Sequence, residues 1–142
     1  PQKRVLHLSQ RAATPGEASA LAIGPGDLVC AYHGLSLADA QPVAVFESLF
    51  PLSRLAGISA ALEQTSSVTG ALRAVGVLDY TRASTRLTAT RATATQALHL
   101  QLAEGDPLLR SSGVNVAEDG QPVEYGRTWF AGDRVTLTLD GG

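Results

Sequence analysis

The chain contains two copies of one pattern, and this internal repeat limits its possible folds more than any other feature. Residues 14–50 match residues 93–130. The copies share four landmarks: Thr14 with Thr93, Gly26-Asp27 with Gly105-Asp106, Gly34 with Gly113, and Gln41-Pro42 with Gln121-Pro122. Because a solenoid needs about three or more repeats, two copies predict one domain with internally duplicated halves. The length of 142 residues fits a single domain over 1–142.

Each half predicts a short helix followed by a hairpin. Thr14-x-x-Glu17 and Thr93-x-x-Gln96 have the spacing of capping boxes. They predict helices over 15–22 and 94–102, each ended by its Gly-Asp pair. The β-rich runs that follow are 28–38 with 42–50, and 107–117 with 122–130. Asp119-Gly120 is typical of a tight hairpin turn, because these residues tolerate positive φ.

The remaining segments complete an α+β pattern. RVLHLSQRAA and STRLTATRAT, upstream of the two helices, each predict a strand. Leu52 to Val75 has apolar residues at helical spacing, with Ser53 as a cap, and a second short helix restarts at Val68 and ends at Gly76. Arg134 to Asp140 alternates and predicts a final strand. The sum is a mostly antiparallel sheet of about six strands with helices packed on it.

Composition excludes several classes of protein. Eleven basic and thirteen acidic residues give a net charge of −2, which excludes a generally basic nucleic-acid binder. No apolar run approaches the roughly 18–20 residues of a membrane span. One cysteine and three widely spaced histidines predict neither a disulfide framework nor a metal site. We find no cofactor motif and no nucleophile with a partnered base, so we do not expect an enzyme. We find no signal peptide, so we expect a cytoplasmic protein.

Several segments in order resemble the UTRA domain, the effector-binding half of HutC-subfamily regulators in the GntR superfamily of transcription factors. PVEYGRTWFAGDRVTL resembles the closing motif of that domain, and ALAIGPGDLV, LADAQPVAVFESLFP, SSVTGALRAVG and LAEGDPLL precede it in the family's order. DYTRASTR with NVAEDGQPVEYGRTWFAGDRV looks most like regulators of phosphonate metabolism. The resemblance covers nearly the whole chain. It implies a chorismate-lyase-like fold, a homodimer, and a small-molecule pocket between sheet and helices.

The same resemblance implies an N-terminal winged helix-turn-helix that these residues do not include. We therefore expect operator DNA to be bound through that missing domain and not through this chain. The acidic balance agrees with this expectation.

Two groups of residues predict an anion site. Ser66 and Ser67 precede a short helix, whose unpaired N–H groups suit a phosphate or carboxylate, although an ordinary N-cap is the alternative. In UTRA regulators that bind phosphorylated sugars, the position matching Ser67 contacts the phosphate. Arg82 and Arg86 are four residues apart and would share one face of a strand, where an anion could lie between them. A solvated pair of surface arginines is the alternative.

Other candidates come from the repeat and from the resemblance. Glu47 and Arg127 are equivalent in the two halves, and they either face one ligand or form a plain salt bridge. Glu124 matches a family position that contacts the effector, while Phe130 stands where the family often has Tyr. Gly34 and Ser36 replace arginines of sugar-phosphate sensors, which leaves His33 nearby as a different contact, or as a structural histidine. Asp133-Arg134 predicts a turn-closing ion pair.

These observations predict a regulatory domain that senses a small anionic metabolite, phosphonate or phosphate-like. The anionic group would dock at Ser67 and Arg86, with Arg127 as an additional contact, while Glu124 and Glu47 would bind the rest of the ligand. Two alternatives remain open: a chorismate-lyase-like enzyme, and a dimerisation module with a vestigial pocket.

Overall fold

The computed structural model describes residues 2–141, which form one six-stranded antiparallel sheet and four helices. The strands are β1 (Gln2–Ala12), β2 (Leu28–Ala38), β3 (Gln41–Pro51), β4 (Tyr80–Arg91), β5 (Pro107–Ala117) and β6 (Pro122–Ala131). The helices are α1 (Pro15–Leu21), α2 (Ile58–Gln64), α3 (Val68–Ala74) and α4 (Ala94–Leu100). The strand order is β1-β2-β3-β6-β5-β4. This confirms the predicted α+β class and the predicted sheet.

The two halves of the repeat meet at the centre of the sheet. Each half supplies a strand, a helix and a hairpin, and the halves join where β3 pairs with β6. Glu47 lies directly opposite Arg127 in this pairing. Since these two residues are also equivalent in the repeat, the pseudo-twofold axis of the domain passes between them.

Both predicted capping boxes form. The Thr14 hydroxyl accepts the backbone N–H of Glu17, and the Glu17 carboxylate accepts that of Thr14 at 2.9 Å. Thr93 and Gln96 repeat this arrangement at the start of α4. Such reciprocal bonds satisfy two otherwise orphaned donors at a helix start.

The predicted bounds of these two helices agree with the structure to within two residues, but the Gly-Asp pairs do not end the helices and lie several residues beyond them. The helices end at Ala22 and Gln101, which adopt left-handed φ values of 53° and 56°. Gly26 and Gly105 instead form the turns that enter β2 and β5, with φ values of 84° and 89°.

Two equivalent arginines hold these helix ends. Arg54 donates to the carbonyls of Leu21 at 2.7 Å, Ala22 at 2.6 Å and Pro122 at 2.8 Å. Arg134 donates to the equivalent carbonyls, those of Leu100, Gln101 and Pro42. Its contact with Asp133 is long, at 3.9 Å to an exposed carboxylate, so the predicted ion pair is secondary to these bonds.

Two other predictions about secondary structure are wrong. Residues 52–57 form turns, so α2 begins at Ile58 after Gly57 and not after Ser53. Residues 135–141 form no strand although they alternate. The preceding strand β6 already pairs with β3 on one edge and with β5 on the other. Residues 135–141 therefore cannot form a hairpin with β6.

The sheet presents two faces, which we call front and back. Helices α2 and α3 cover part of the front face, where they pack against Cys30, Tyr32 and Phe50. Helix α1 packs on the back face against Val29, Ala31 and Leu49. Helix α4 lies on the same back face, against a cluster that includes Leu108 and Trp129. In the described part of the chain, no helix has the length and apolar character needed to cross a bilayer.

Candidate functional site

The structure divides the predicted site residues between the two faces of the sheet. Register and packing place one group on the front side: Ser66, Ser67, Arg82, Glu124 and Phe130. The second group lies on the back face: His33, Glu47, Arg127 and Arg86. One ligand therefore cannot contact both groups without passing through the sheet.

Arg82 and Arg86 do not share a face, which corrects the prediction from their spacing. Arg82 lies opposite Asn115, whereas Arg86 lies opposite Ser112, three residues away on β5. The register shifts between Arg82 and Ser84, so a bulge at this point adds one residue to β4. A bulge reverses the side-chain alternation beyond it, and the two guanidinium groups consequently point to opposite faces.

A row of small residues crosses the front face. Ser48 lies opposite Gly126, Gly126 opposite Gly113, and Gly113 opposite Thr85. A Cβ atom built on Gly126 would come no closer than 3.8 Å to any neighbour, and those neighbours are the Glu124 Oε2 and Ser48 Oγ atoms. We call this row of four residues the front trough. Its space is free above Gly126, whereas the Arg82 guanidinium lies over Gly113 and donates to Thr85 Oγ1 at 3.1 Å.

A chain of hydrogen bonds forms one wall of the front trough. Asn115 donates to Glu124 at 2.8 Å, and Arg82 donates through its Nε to Asn115 Oδ1 at 2.7 Å. Asn115 and Glu124 are 7% and 8% exposed. A buried carboxylate and amide are retained only with good partners, so this network fixes the orientation of the Arg82 guanidinium.

Gly113 is required for that geometry. The Arg82 guanidinium lies across Gly113, and a Cβ at this position would overlap its Nη1 atom and approach the Ser84 carbonyl oxygen to 2.9 Å. The equivalent glycine of the first half, Gly34, is covered instead by the ring of Phe46. In the second half Gly126 occupies the position of Phe46, so no ring covers Gly113, and the Arg82 guanidinium lies there instead.

The far end of the front face is aromatic and positively charged. The rings of Tyr32 and Phe46 lie 5.6 Å apart, and the Lys3 ammonium lies 5.0 Å from the centre of the Tyr32 ring. The Tyr32 hydroxyl is buried and has no hydrogen-bond partner among residues 2–141. A buried hydroxyl without a partner is costly and marks a position where a ligand or water would bond.

The two predicted serines have different surroundings. Ser67 is the N-cap of α3, and its hydroxyl accepts the backbone N–H of Gly70 at 3.0 Å. Ser66 lines a cavity of about 620 Å³ together with Lys3 and Arg4. Phe130 lies on the front side of β6 but four residues beyond Gly126, so it is distant from the trough.

On the back face, Glu47 and Arg127 form an ion pair with each other at the pseudo-twofold axis. Glu47 also contacts Arg11 at 3.4 Å and His33 at 2.8 Å, and Glu17 from α1 bonds both Arg11 and Arg127. We call these five residues the axial cluster. Of the two possibilities for the Glu47–Arg127 pair, the contact in the structure is the salt bridge.

The axial cluster shifts the titration of its members. The hydrogen bond from Arg11, together with a backbone bond from Thr14, lowers the pKa of Glu17 from 4.5 to about 2. The Glu17 carboxylate in turn raises the pKa of Arg11. Burial is the main cause that lowers the pKa of His33, and it outweighs the opposite effect of Glu47.

Residues 2–141 contain no group of three or more His, Cys, Asp or Glu side chains placed to hold a metal ion. The polar groups that the sequence reading missed are Ser48, Asn115, Lys3, Arg11 and Glu17. Glu17 was recognised only as a helix cap. Asn115 and Ser48 lie within the segments that resemble the family, but the sequence assigns them no role, and only the strand register shows that they line the trough.

Comparison with known proteins gives a consistent result. The profile of the UTRA domain matches residues 1–136. An uncharacterized HTH-type transcriptional regulator of Rhizobium meliloti (strain 1021) is 37% identical over 123 residues, which are 87% of this chain and 50% of that protein. The chain thus spans about half the length of that curated relative.

Solved structures show the same fold. A GntR-family transcriptional regulator from Enterococcus faecalis V583 superposes with a TM-score of 0.82 at 25% identity, over 99% of this chain and 100% of that one. PhnF from Mycobacterium smegmatis superposes with a TM-score of 0.86 at 22% identity, over 99% of this chain and 62% of that one. At this identity, the likeness to PhnF is one of fold.

Proposed function

This chain belongs to the UTRA domain family, and we propose that it senses a small anionic metabolite on the front face of its sheet for a transcription regulator. The observation that carries the proposal is the Arg82–Asn115–Glu124 chain beside the front trough. It holds a guanidinium over Gly113 and a carboxylate beside the uncovered Gly126 in fixed positions. Fixed donors and acceptors around a small open space are the ordinary features of a ligand site.

The chemistry of the trough defines the ligand class. The Arg82 guanidinium is suited to a phosphonate, phosphate or carboxylate group, because its planar fork donates two parallel bonds. Glu124 Oε2 faces the trough and accepts from a hydroxyl or ammonium group of the same ligand. The ligand is therefore an anion that also carries a hydrogen-bond donor, such as a phosphonate with an amino or hydroxyl substituent.

Ser66 and Lys3 provide a second contact region at the other end of the front face. Lys3 lies over the aromatic pair, and Ser66 lines the adjoining cavity with Arg4. A longer ligand would reach them from the trough. Arg86, Arg127, Glu47 and His33 lie on the opposite face and take no part in this site.

We further propose that the domain acts within a homodimer and transmits ligand binding to a DNA-binding segment of the parent protein. The relative from Rhizobium meliloti is an HTH-type regulator about twice as long as the matched region. By linkage, a ligand that weakens operator binding must itself bind less tightly to the DNA-bound form.

A thermal-shift screen tests the front-face site. Residues 1–142 are heated with phosphonates, inorganic phosphate, sugar phosphates, amino acids and chorismate, and any hit is titrated by calorimetry. A ligand at 100 times its Kd adds about 2.7 kcal/mol, which corresponds to about 9 °C for a domain of this size. Formation of product from any compound would instead support the lyase-like alternative.

Two variants decide whether the hit uses the trough. Arg82→Ala should weaken binding by about 1.5–3 kcal/mol, the range for a charge-assisted hydrogen bond. Arg91→Ala is the matched control, since it removes an exposed arginine from the same strand away from Glu124. Equal affinity of the Arg82→Ala variant and the control would refute this site. The absence of any hit would favour a dimerisation module with a vestigial pocket.

A further inference from the structure

A second basic cavity lies on the back face, on the opposite side of the sheet from the front trough. It encloses about 480 Å³ between α1 and the β4–β5 pair. Two arginines, Arg86 and Arg110, line it together with five residues that carry a hydroxyl group: Ser19, Ser84, Thr88, Ser112 and Tyr125. None of its lining residues is Asp or Glu.

The two arginines are close neighbours on one face. Arg86 lies opposite Ser112, and Arg110 lies opposite Thr88, so the arginines are diagonal across the β4–β5 pair. Diagonal positions in an antiparallel pair are about 7–8 Å apart, within reach of two long side chains. Their positive charges therefore repel each other in the unoccupied domain.

In the described part of the chain, Arg86 and Arg110 differ from the other back-face arginines in their lack of a charged partner. Arg11 and Arg127 each bond a carboxylate of the axial cluster. Within residues 2–141, by contrast, neither Arg86 nor Arg110 takes part in any salt bridge or side-chain hydrogen bond that the structure records. Arg127 lies opposite Ser112, and so the paired and unpaired arginines are adjacent in the same sheet.

We propose that this back-face cavity is a second anion site, and that it takes a phosphate group, free or as a small ester. Two guanidinium groups neutralise the double negative charge of a phosphate. The surrounding hydroxyls donate to its remaining oxygens, which point in several directions because the group is tetrahedral. The site uses different side chains from the front trough, because the two lie on opposite faces of the sheet, and they share only Gly113, which has no side chain.

Calorimetric titration with inorganic phosphate tests the proposal, at constant ionic strength maintained with chloride. The titration uses residues 1–142 carrying Arg82→Ala, so that phosphate binding at the front trough does not contribute. This protein should still bind phosphate saturably. Adding Arg86→Gln or Arg110→Gln should weaken that binding about tenfold or more, as expected when a charge-assisted hydrogen bond is lost.

The control again is the exposed Arg91, which lies on β4 outside this cavity. Arg91→Gln should leave the phosphate affinity unchanged. Unchanged affinity in the Arg86→Gln/Arg110→Gln double variant would overturn the proposal, and so would an equal loss with Arg91→Gln, which would indicate general charge attraction. The front-face proposal fails on a different result. In that case Arg82→Ala does not change the binding of the anion found in the thermal-shift screen.

A stability measurement guards against misfolded variants. In phosphate-free buffer the double variant should be at least as stable as the wild type, because a repulsion has been removed. Phosphate should raise the Tm of the wild type and not that of the double variant. A double variant that still gains the full phosphate-dependent Tm increase would also overturn the proposal.

Discussion

Neutralising Glu47 at the pseudo-twofold axis should destabilise the domain strongly. The axial cluster contains two arginines and two carboxylates, and burial keeps His33 neutral near pH 7, so the net charge of the cluster is zero. The Glu47→Gln substitution keeps the size and shape of the side chain but removes its negative charge. One positive charge of the cluster is then uncompensated at a buried position, since Glu47 is only 7% exposed.

The structure sets the size of the effect. Breaking a buried ion pair by removing one partner costs about 3–5 kcal/mol. The side chains of Arg127 and Arg11 are 25% and 34% exposed, so water screens part of the freed charge. We therefore expect a loss of about 2–3 kcal/mol. With an unfolding entropy of about 2.1 cal/mol/K per residue, 1 kcal/mol corresponds to about 3 °C, and the Tm should fall by roughly 6–9 °C.

A double-mutant cycle separates the charge effect from general damage. Glu47→Gln/Arg127→Gln restores a net charge of zero, because Arg11 and Glu17 remain paired. The double variant should therefore lose less stability than the sum of the single variants, with a coupling of about 1–2 kcal/mol. Urea unfolding measures all three, and Glu104→Gln, at an exposed carboxylate, is the control. Additive single effects, or a Glu47→Gln variant within 0.5 kcal/mol of wild type by this measure, would refute the reasoning.

Two further predictions concern the helix ends and acid stability. Arg54→Ala and Arg134→Ala should each cost about 2–3 kcal/mol in urea unfolding, because each leaves three carbonyls without their charged donor. Their costs should add, since they share no partner, and a strongly non-additive double variant would contradict independent roles. The lowered pKa of Glu17 stabilises the fold above pH 4.5, and this contribution is lost as the pH falls towards 2. Glu17→Gln should be less stable than wild type at pH 7, and the difference should shrink on acidification; a constant difference would argue against the linkage.

The local features of the fold were predictable from sequence, whereas the long-range ones were not. A capping box is encoded within four residues, so both helix starts were found. The helix ends depend on Arg54 and Arg134, which lie more than thirty residues away from the carbonyls of α1 and α4 that they hold. No local pattern marks such a contact.

The candidate site also depends on long-range contacts that the local sequence does not predict. Residue spacing alone placed Arg82 and Arg86 on one face, and a one-residue bulge separated them. Sequence reasoning identified Arg82 and Glu124 individually, but it gave no role to Asn115, which joins them. The register of three strands had to be known before these residues could be recognised as one wall.

The duplication explains why the two halves differ where they do. A residue on the axis of a perfect duplication lies opposite its own copy, so a charged residue there would meet a like charge, which is destabilising. Glu47 opposite Arg127 avoids this, because one copy carries the opposite charge. Away from the axis the halves are free to diverge independently. Phe46 covers Gly34 in the first half, whereas in the second half Gly126 replaces the ring and the Arg82 guanidinium covers Gly113. The axial cluster thus depends on opposite charges in the two copies, Glu47 and Arg127. The front trough depends instead on a difference in size between Phe46 and Gly126. Substitutions at the axis should therefore affect stability more than ligand affinity.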